Sequence, residues 1–370
     1  MIWTYLSIAG FVAWVVLLLL PWQPWRTREV LDSDSTSADR DLSLLTVLIP
    51  ARNEEGVIET TLAGLKAQGT GFKVVLVDDC STDSTVKRAK NINMPNLKIL
   101  NGTPTPSGWS GKLWALEQGI RHVHTPLTLL LDADIFLMPI IINALLDKME
   151  SGVDMVSLMA SLRMVTFWEK LLMPPFIYFF KLLYPFHLSN NPLSRVAAAA
   201  GGCILIKTEV IKNTGGFESL KNELIDDCSL AKRVKTHGYK TWTGLTRSVI
   251  SLRAYNFASI WDMVARTAFT QLRYSVVCLL LVSAAMIIMF CIPILGLFTG
   301  PSISAYLSGI AIAIMVTTYI PTLSFYRLSR LRAITLPVCA VLYLAMTWSS
   351  AISFWKGAGA HWKGRRYPSV

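Results

Sequence analysis

Charged residues are scarce in this chain, since Asp, Glu, Lys and Arg make up only 16% of its 370 residues while 52% are hydrophobic. With a mean hydropathy of +0.45, this scarcity excludes an ordinary soluble enzyme, although long polar stretches interrupt the apolar ones. No internal repeat is visible, so a repeat architecture is not indicated. The composition predicts a soluble domain joined to membrane segments.

Paired cysteines are also missing. The six cysteines have no metal-ligand spacing, and three of them lie in apolar segments, which argues against a zinc site or a disulfide framework. The net charge of +11 comes from basic residues that are scattered or lie beside apolar segments, rather than gathered with aromatic residues. We therefore expect contact with anionic lipid headgroups and no nucleic-acid partner.

Residues 2–20 form an uncharged apolar run that is long enough to cross a bilayer. A signal peptide is the less favoured alternative, because no basic region precedes the run and no small-residue cleavage site follows it. Arg26 and Arg28 come next, so the positive-inside rule places the following domain on the cytoplasmic side of the inner membrane. Three more candidate spans make the protein multi-pass, at 275–298, 303–325 and 336–355.

The last of these segments conflicts with the charge rule. If all four segments cross the membrane, the basic tail at 356–370 ends outside. The segment at 336–355 is also the most polar of the set. We therefore predict that it is re-entrant or lies partly in the interface.

A polar linker at 26–43 precedes the predicted soluble domain at 44–274. Acidic residues recur at three places in this domain: Asp78 with Asp79, Asp132 with Asp134, and Asp226 with Asp227. The first two groups end short apolar runs that are typical of buried parallel strands. Carboxylates at such strand ends line the ligand crevice of an open α/β sheet. The pattern predicts an α/β domain that handles a metal-bound nucleotide diphosphate.

Asp132 and Asp134 are the candidate metal ligands. Their spacing lets both carboxylates point to one side of the strand end, and hard oxygen ligands suit Mg²⁺ or Mn²⁺. Such a cation would stabilise the charge that grows on a departing diphosphate. Alone, an Asp-x-Asp pattern also occurs in solvated turns. Lys112 follows a glycine at a predicted helix start, where it is either a diphosphate contact or an ordinary surface lysine.

Attack by an acceptor hydroxyl needs a base that removes its proton. Asp227, at the start of a predicted helix, is our candidate. Asp226 and Asp227 also fit the alternative of simple helix caps, because carboxylates are favoured at helix N-termini.

The sequences VLIPARNE at 47–54 and VDDCSTD at 77–83 resemble the opening of inverting family 2 glycosyltransferases of the GT-A fold. Within that family, the chain is most similar to the hopene-associated membrane glycosyltransferases, relatives of ceramide glucosyltransferases. The likeness extends over about 44–274. It implies a Rossmann-like nucleotide-diphospho-sugar transferase domain with transmembrane helices, a UDP-sugar donor, a divalent cation, and a lipid acceptor such as a hopanoid.

The resemblance also assigns roles to individual residues. Asp79 would recognise the base, Asp227 would be the base catalyst, and Lys112, Asp132 and Arg273 would hold the diphosphate. The remaining nucleoside contacts would be Pro50, Arg52, Asn53 and Glu54. On the acceptor side it assigns Gly201, Gly202, Cys203, Asp226 and Tyr274.

Two of these matches are incomplete. Asp226 stands where the family has glutamate. The Gln-x-x-Arg-Trp element is matched only by Arg273 and Tyr274, because Thr270 holds the glutamine position. Arg273 also fits an interfacial anchor, and the glycines at 201–202 fit a plain tight turn.

An aromatic stretch at 165–188 is either an interfacial segment that presents a lipid acceptor or a helix pair in the core of the soluble domain. Three other functions remain open beside the lipid glycosyltransferase: a membrane nucleotide-binding scaffold without turnover, a polysaccharide-synthase-like enzyme, and a transporter. The transporter is disfavoured because ionisable residues avoid the spans.

Overall fold

A computed structural model describes residues 2–33, 40–223 and 225–357, with the backbone alone at 360–362 and 365–367. The chain divides into two compact units. The sheet unit comprises Glu29–Arg163 and Phe186–Ala254, and the helical unit comprises Met1–Arg28, Met164–Pro185 and Tyr255–Val370. Residues 34–39 of the predicted linker, and residues 358–359, 363–364 and 368–370 of the predicted basic tail, lie outside the described residues.

The sheet unit is built on one mixed sheet of eight strands in the order β3-β2-β1-β4-β7-β6-β8-β5. Strands β3, β2, β1 and β4 run parallel, and β7 joins β4 in antiparallel register. The strands are β1 Leu45–Ala51, β2 Lys73–Asp78, β3 Leu97–Asn101, β4 Leu127–Leu131, β5 Ile135–Leu137, β6 Met155–Ser161, β7 Cys203–Lys207 and β8 Thr241–Ser251.

Helices cover both faces of this sheet because alternate strand residues point to opposite sides. In β1, Val47 and Ile49 belong to one apolar cluster, whereas Leu48 belongs to the other. The helices of the unit are α2 Ile58–Lys66, α3 Thr85–Asn91, α4 Gly111–Ile120, α5 Ile141–Glu150, α7 Phe186–Asn190, α8 Thr208–Asn213 and α9 Asp226–Thr236. Helices α2 and α5 cover the first cluster, and α4 and α9 the second.

Helix α4 lies very close to the sheet. A Cβ added at Gly119 would come within 2.3 Å of Leu48 Cδ1, so only glycine allows this packing. The close approach fixes the start of α4, where Lys112 is located, relative to the ends of β1 and β4. These ends share one edge of the sheet because the strands are parallel, which is the expected position of a ligand crevice.

Among the described residues, the helical unit contains four helical segments that are long and apolar enough to cross a membrane: Ile2–Leu19, Val276–Thr299, Ser302–Phe325 and Arg330–Trp355. They agree with the four predicted segments. The helices of this unit are α1 Ile2–Leu19, α6 Phe167–Leu183, α10 Phe257–Gln271, α11 Val276–Met286, α12 Ile292–Thr299, α13 Ser302–Phe325 and α14 Leu336–Trp355, with a π-helix at Ile287–Cys291 between α11 and α12.

Helix α14 corrects the prediction of a re-entrant last segment. It continues without a break for 20 residues, with its proline in the first turn, where the missing N–H costs little. A re-entrant path would need a turn inside the segment. A partly interfacial position of this helix stays a prediction.

Most of the aromatic stretch at 165–188 forms α6 in the helical unit, and only its last residues, from Phe186, begin α7 of the sheet unit, so it is not a helix pair in the core of the sheet unit. Its buried Tyr178 hydrogen bonds with Thr318 in α13 (3.1 Å), and Tyr343 in α14 donates to the carbonyl of Leu172 (2.7 Å). The aromatic side chains therefore pack against other apolar helices of the same unit.

The predicted boundary at residue 274 also differs from the structure. The sheet unit ends at Ala254, and α10 belongs to the helical unit. Phe269 N–H donates to Ser350 Oγ (3.0 Å), and Trp261 Nε1 donates to Ser349 Oγ (3.1 Å). The apolar face of α10 thus packs against α14.

Candidate active site

Four charged side chains meet at the shared edge of β1 and β4 in the sheet unit. Lys112 Nζ lies 2.7 Å from Asp132 Oδ1 and 3.8 Å from Asp226 Oδ2, and it contacts the carbonyl of Gly201 at 3.4 Å. Together with Asp227, these residues line an open cleft, which Pro50 also borders. The structure thus brings together residues from five separate parts of the sequence.

Local structure explains why these side chains converge. Ser110 caps α4 by accepting from Leu113 N–H (3.2 Å), which places Lys112 in the first helical turn. The register of β4 with β7 pairs Leu131 with Cys203, and Asp132 N–H then donates to the carbonyl of Gly202 (3.0 Å). The segment before β7 therefore runs directly beside Asp132.

Asp227 is tied to this segment. Its Oδ2 accepts from Gly201 N–H (2.8 Å), and its Oδ1 accepts from Cys228 N–H (2.7 Å). The cap position of α9 is Ile225, which makes no side-chain capping bond. Simple capping thus accounts for the contact with Cys228 but not for the contact with Gly201.

Burial and charge set the protonation of this cluster. Burial, followed by the negative charge of Asp226, raises the pKa of Asp227 to about 6, against the opposing effects of Lys112 and the two backbone N–H groups. Burial likewise raises the pKa of Asp132, although Lys112 counteracts it. For Lys112, burial lowers the pKa, but the charges of Asp132, Asp226 and Asp227 outweigh it and raise the pKa above its ordinary value. Lys112 therefore stays charged and partly neutralises three carboxylates.

Asp134 takes a different position from Asp132. It does not line the cleft; its carboxylate is 10% exposed, and Oδ2 accepts from Arg253 Nε at 2.8 Å. The expectation that both carboxylates face one pocket is therefore not met in this structure. The physical reason is the competing cation, because Arg253 holds Asp134 while Lys112 holds Asp132.

Arg253 is the site residue that the sequence did not reveal. Its Nη2 lies 3.7 Å from Glu54 Oε1, so it links Asp134 to the loop after β1. Leu252 N–H donates to the carbonyl of Asp134 (2.8 Å), which brings the end of β8 beside the turn between β4 and β5. In the sequence, Arg253 is a basic residue shortly after a strand, which was the signal available. Only the order of the strands in the sheet identifies Asp134 as the carboxylate that it contacts.

The donor set is compatible with a divalent cation. Among the described residues, no group of three or more His, Cys, Asp or Glu side chains is placed to hold a metal ion. Mg²⁺ and Mn²⁺ sites that bind nucleotides, however, commonly use one or two carboxylates and take further oxygens from the phosphates. Asp132 provides such a carboxylate in the cleft, whereas Asp134 lies outside the cleft lining and is paired with Arg253.

The loops after β1 and β2 hold each other. Arg52 Nη1 donates to the carbonyls of Asp79 (2.6 Å) and Cys80 (3.2 Å). Asn53 N–H donates to Ser81 Oγ (3.0 Å), and Asn53 Oδ1 accepts from Thr82 N–H (2.9 Å). The structure therefore groups the predicted nucleoside-contact residues. Asp79 itself is only 3% exposed.

The predicted acceptor residues separate into two kinds. Gly201 borders the cleft, and a Cβ added there would lie 3.0 Å from Lys112 Nζ and 3.3 Å from Asp227 Oδ2. Cys203 corrects the prediction, because it is fully buried in an apolar cluster, where burial raises the pKa of its thiol to about 12. It has no surface to offer an acceptor.

Arg273 and Tyr274 belong to the helical unit, directly after α10. Both have left-handed backbone conformations, with φ of 52° and 55°. The ring of Tyr274 stacks on Phe354 with centroids 4.4 Å apart, and its hydroxyl accepts from Thr270 Oγ1 (3.2 Å). These contacts account for an aromatic residue at position 274 by packing within the unit.

Residues 46–215 match the family model described as "Glycosyl transferase family 2". The chain is also 34% identical over 91 residues to 4,4'-diaponeurosporenoate glycosyltransferase from Staphylococcus aureus (strain USA300), a match that covers 25% of this chain and 24% of the relative. The matched part thus spans about a quarter of that relative's length. The matched residues 46–215 lie within the predicted soluble domain at 44–274.

A mannosyltransferase from Pyrobaculum calidifontis, solved in complex with GDP-Man and Mn²⁺, has a similar structure. The identity is 18%, the alignment covers 95% of this chain and 98% of that chain, and the TM-score is 0.55. At this identity the likeness concerns the fold alone. It confirms the predicted fold class, an α/β GT-A domain with long apolar helices.

Proposed function

We propose that this protein is a membrane-bound inverting glycosyltransferase that moves a sugar from a nucleotide-sugar donor to a lipid acceptor. The observation that carries the proposal is the convergence of Lys112, Asp132, Asp226 and Asp227 on one cleft of a family 2 domain. Structural cation–carboxylate pairs also occur away from active sites. The cleft position and the raised pKa of Asp227 favour catalysis over a structural role.

Asp227 is the proposed general base. A carboxylate with a pKa of about 6 is ionised at neutral pH and still basic enough to accept a proton from a hydroxyl. Its two hydrogen bonds from backbone N–H groups fix the direction of the carboxylate. Each oxygen retains lone-pair capacity for the acceptor proton. Attack from the face opposite the leaving diphosphate inverts the anomeric configuration, so a second nucleophilic carboxylate is not needed.

Lys112 is the proposed diphosphate contact, because it presents a fixed positive charge at the cleft. Asp132 and Asp134 would hold the divalent cation, and Arg253 and Lys112 neutralise these carboxylates in its absence. Bound there, Mg²⁺ or Mn²⁺ would offset the negative charge of the leaving nucleoside diphosphate. The loops that contain Pro50, Arg52, Asn53, Glu54 and Asp79 are the proposed nucleoside pocket. Arg273 stays a proposed donor contact, and Gly202 and Tyr274 stay proposed acceptor contacts.

The lipid acceptor is supported by the four apolar helices of the same chain. A membrane enzyme meets acceptors that are dissolved in the bilayer, and Arg26 and Arg28 after the first helix favour a cytoplasmic domain at the inner membrane. A UDP-sugar is the proposed donor and a hopanoid the proposed acceptor, both from the sequence resemblance. The relative from S. aureus is named for glycosyl transfer to 4,4'-diaponeurosporenoate, which makes that compound a second acceptor to test.

The test uses the full chain in detergent with Mn²⁺, a panel of labelled UDP- and GDP-sugars, and bacterial lipid extract. We expect one donor to give a labelled lipid and a free nucleoside diphosphate. Asp227→Asn should abolish transfer while nucleotide binding persists, and Asp262→Asn, an exposed change of the same chemistry, should leave transfer unchanged. Unaltered transfer by Asp227→Asn would remove Asp227 from the mechanism. Nucleotide binding by the wild type without any transfer would favour a non-catalytic scaffold.

A further inference from the structure

Helix α9 holds the chain leading to the cleft at two separate points. At its start, Asp227 accepts from Gly201 N–H (2.8 Å). In its last turn, Lys235 Nζ donates to the backbone carbonyls of Ser189 (2.7 Å), Val196 (2.6 Å) and Leu188 (3.3 Å). At a rise of 1.5 Å per residue, positions 227 and 235 lie about 12 Å apart along the helix. The helix is therefore a rigid spacer between the two contacts.

The contacts of Lys235 close a loop. An ammonium group has three N–H donors and no acceptor, so three carbonyls satisfy its donors completely. We call residues 188–196, which comprise the end of α7 and the chain after it, loop 188–196. The carbonyls of Leu188 and Ser189 lie at its start and that of Val196 at its end, so the side chain of Lys235 joins both ends. Hydrogen bonds from a charged donor are stronger than neutral ones. The carbonyl of Leu188 also accepts from Asn191 N–H (3.2 Å) and that of Ser189 from Thr241 Oγ1 (3.4 Å), so the loss of Lys235 chiefly removes the link from these two residues to the carbonyl of Val196.

The segment at 197–202 runs from this loop to the cleft outside any strand. Side chains hold its backbone: Ala198 N–H donates to Ser189 Oγ (2.9 Å), and Ala200 N–H donates to Ser157 Oγ (2.8 Å). Gly201 N–H then reaches Asp227. Apart from the bond from Asp132 N–H to the carbonyl of Gly202, no sheet hydrogen bond among the described residues fixes this segment. Its path therefore depends on these side-chain anchors and on the position of residue 196, where loop 188–196 ends.

We propose that Lys235 is a positioning residue for the acceptor side of the reaction. By closing loop 188–196, it fixes the path of 197–202 and thereby the Gly201 amide that orients Asp227. This inference rests on the proposed function for its kinetic consequence, whereas the closure of the loop is a property of the fold. The donor loops after β1 and β2 make no contact with Lys235 among the described residues, so the effect falls on turnover rather than on donor binding.

The first test is hydrogen–deuterium exchange on the full chain in detergent, comparing wild type, Lys235→Met and Lys232→Met. Lys232 is exposed on the same helix and makes the matched control. We expect faster exchange in peptides covering 188–202 for Lys235→Met alone, while peptides of β1 and β4 keep their protection. Unchanged exchange at 188–202 would overturn the proposal. Loss of protection across the whole sheet would mean that Lys235→Met is unfolded. Exchange at 188–202 is then compared in Lys235→Arg, which keeps the charge and the donors and should protect these residues as the wild type does.

The second test is steady-state kinetics on the donor that the wild type uses. Misplacement of reacting groups by about 1 Å costs up to about 100-fold, so kcat should fall about 10- to 100-fold in Lys235→Met with the donor KM unchanged. Lys235→Arg should recover most of the loss. A normal kcat in Lys235→Met would overturn the positioning role. If the wild type turns over no nucleotide sugar, the proposed function fails, and the exchange experiment still decides whether Lys235 closes the loop.

Discussion

Replacing Lys112 with methionine tests the electrostatics of the cleft most directly. In the wild type one ammonium lies 2.7 Å from Asp132 and 3.8 Å from Asp226, with side chains that are about one fifth to one third exposed. Breaking a fully buried pair costs about 3–5 kcal/mol, and an exposed pair contributes about 0–1 kcal/mol. The intermediate exposure places the loss of Lys112 at about 2–3 kcal/mol. For a unit of this size, that corresponds to a fall in Tm of about 5–10 °C.

The sign of the pH dependence distinguishes this explanation from a general packing defect. A carboxyl group whose pKa is higher in the folded protein stabilises the fold most at low pH, and this contribution is lost as the pH rises through the folded value. Asp132 and Asp227 already have raised pKa values, about 6 for Asp227, and Lys112 lowers both. Lys112→Met should therefore lose little stability at pH 5 and most at pH 8.

The assay is thermal unfolding of the full chain in detergent, followed by the fluorescence of its 12 tryptophans between pH 5 and pH 8. Lys87→Met, an exposed change on α3, is the matched control and should behave like the wild type. Adding Mg²⁺ should restore part of the lost stability in Lys112→Met, because a divalent cation can replace the missing charge. A Tm loss that is equal at every pH and insensitive to Mg²⁺ would refute the electrostatic reasoning.

Two further outcomes follow from the same cleft. Gly201→Ala should lower kcat by about 10- to 100-fold, because the new Cβ would lie 3.0 Å from Lys112 Nζ and displace the charged groups. Gly56→Ala is the control, because Gly56 has open space around it. Equal kcat values for the two variants would contradict the tight fit at Gly201. The pH profile of kcat/KM should fall about tenfold per unit below about pH 6, as Asp227 takes up a proton. Asp226→Asn should move this limb to lower pH by removing a like charge, and an unmoved limb would mean that another group titrates.

The strands and helices of the sheet unit were largely predictable because their signals are local. The apolar runs before Asp78 and Asp132 predicted β2 and β4, and a helix was predicted at 228–236, where α9 begins two residues earlier at Asp226. The four apolar segments were equally clear, since bilayer thickness sets their length. Short motifs at fixed spacing were enough to predict the GT-A fold, and these motifs lie within residues 46–215, which match the family 2 model.

Partners that are distant in sequence were not predictable. Nothing near Asp134 indicates that Arg253, more than 100 positions later, takes its carboxylate, because the contact depends on β5 pairing with β8. Cys203 was assigned to the acceptor from its neighbours, whereas the register of β4 with β7 buries it. The sequence does not distinguish Lys235 from Lys232 on the same helix. The three carbonyl partners of Lys235 exist only after loop 188–196 has folded back.

The sequence by itself determined which segments are apolar enough for strands or membrane helices, and which residues supply carboxylates and a cation to the cleft. Tertiary structure decided which of these groups meet. Strand order and register are set by packing across the sheet, so they pair Lys112 with Asp132, give Arg253 to Asp134, and tie Gly201 to Asp227. Local periodicity contains no information about these distances. The two residues of each pair are separated in the sequence and come into contact only when the sheet unit has folded.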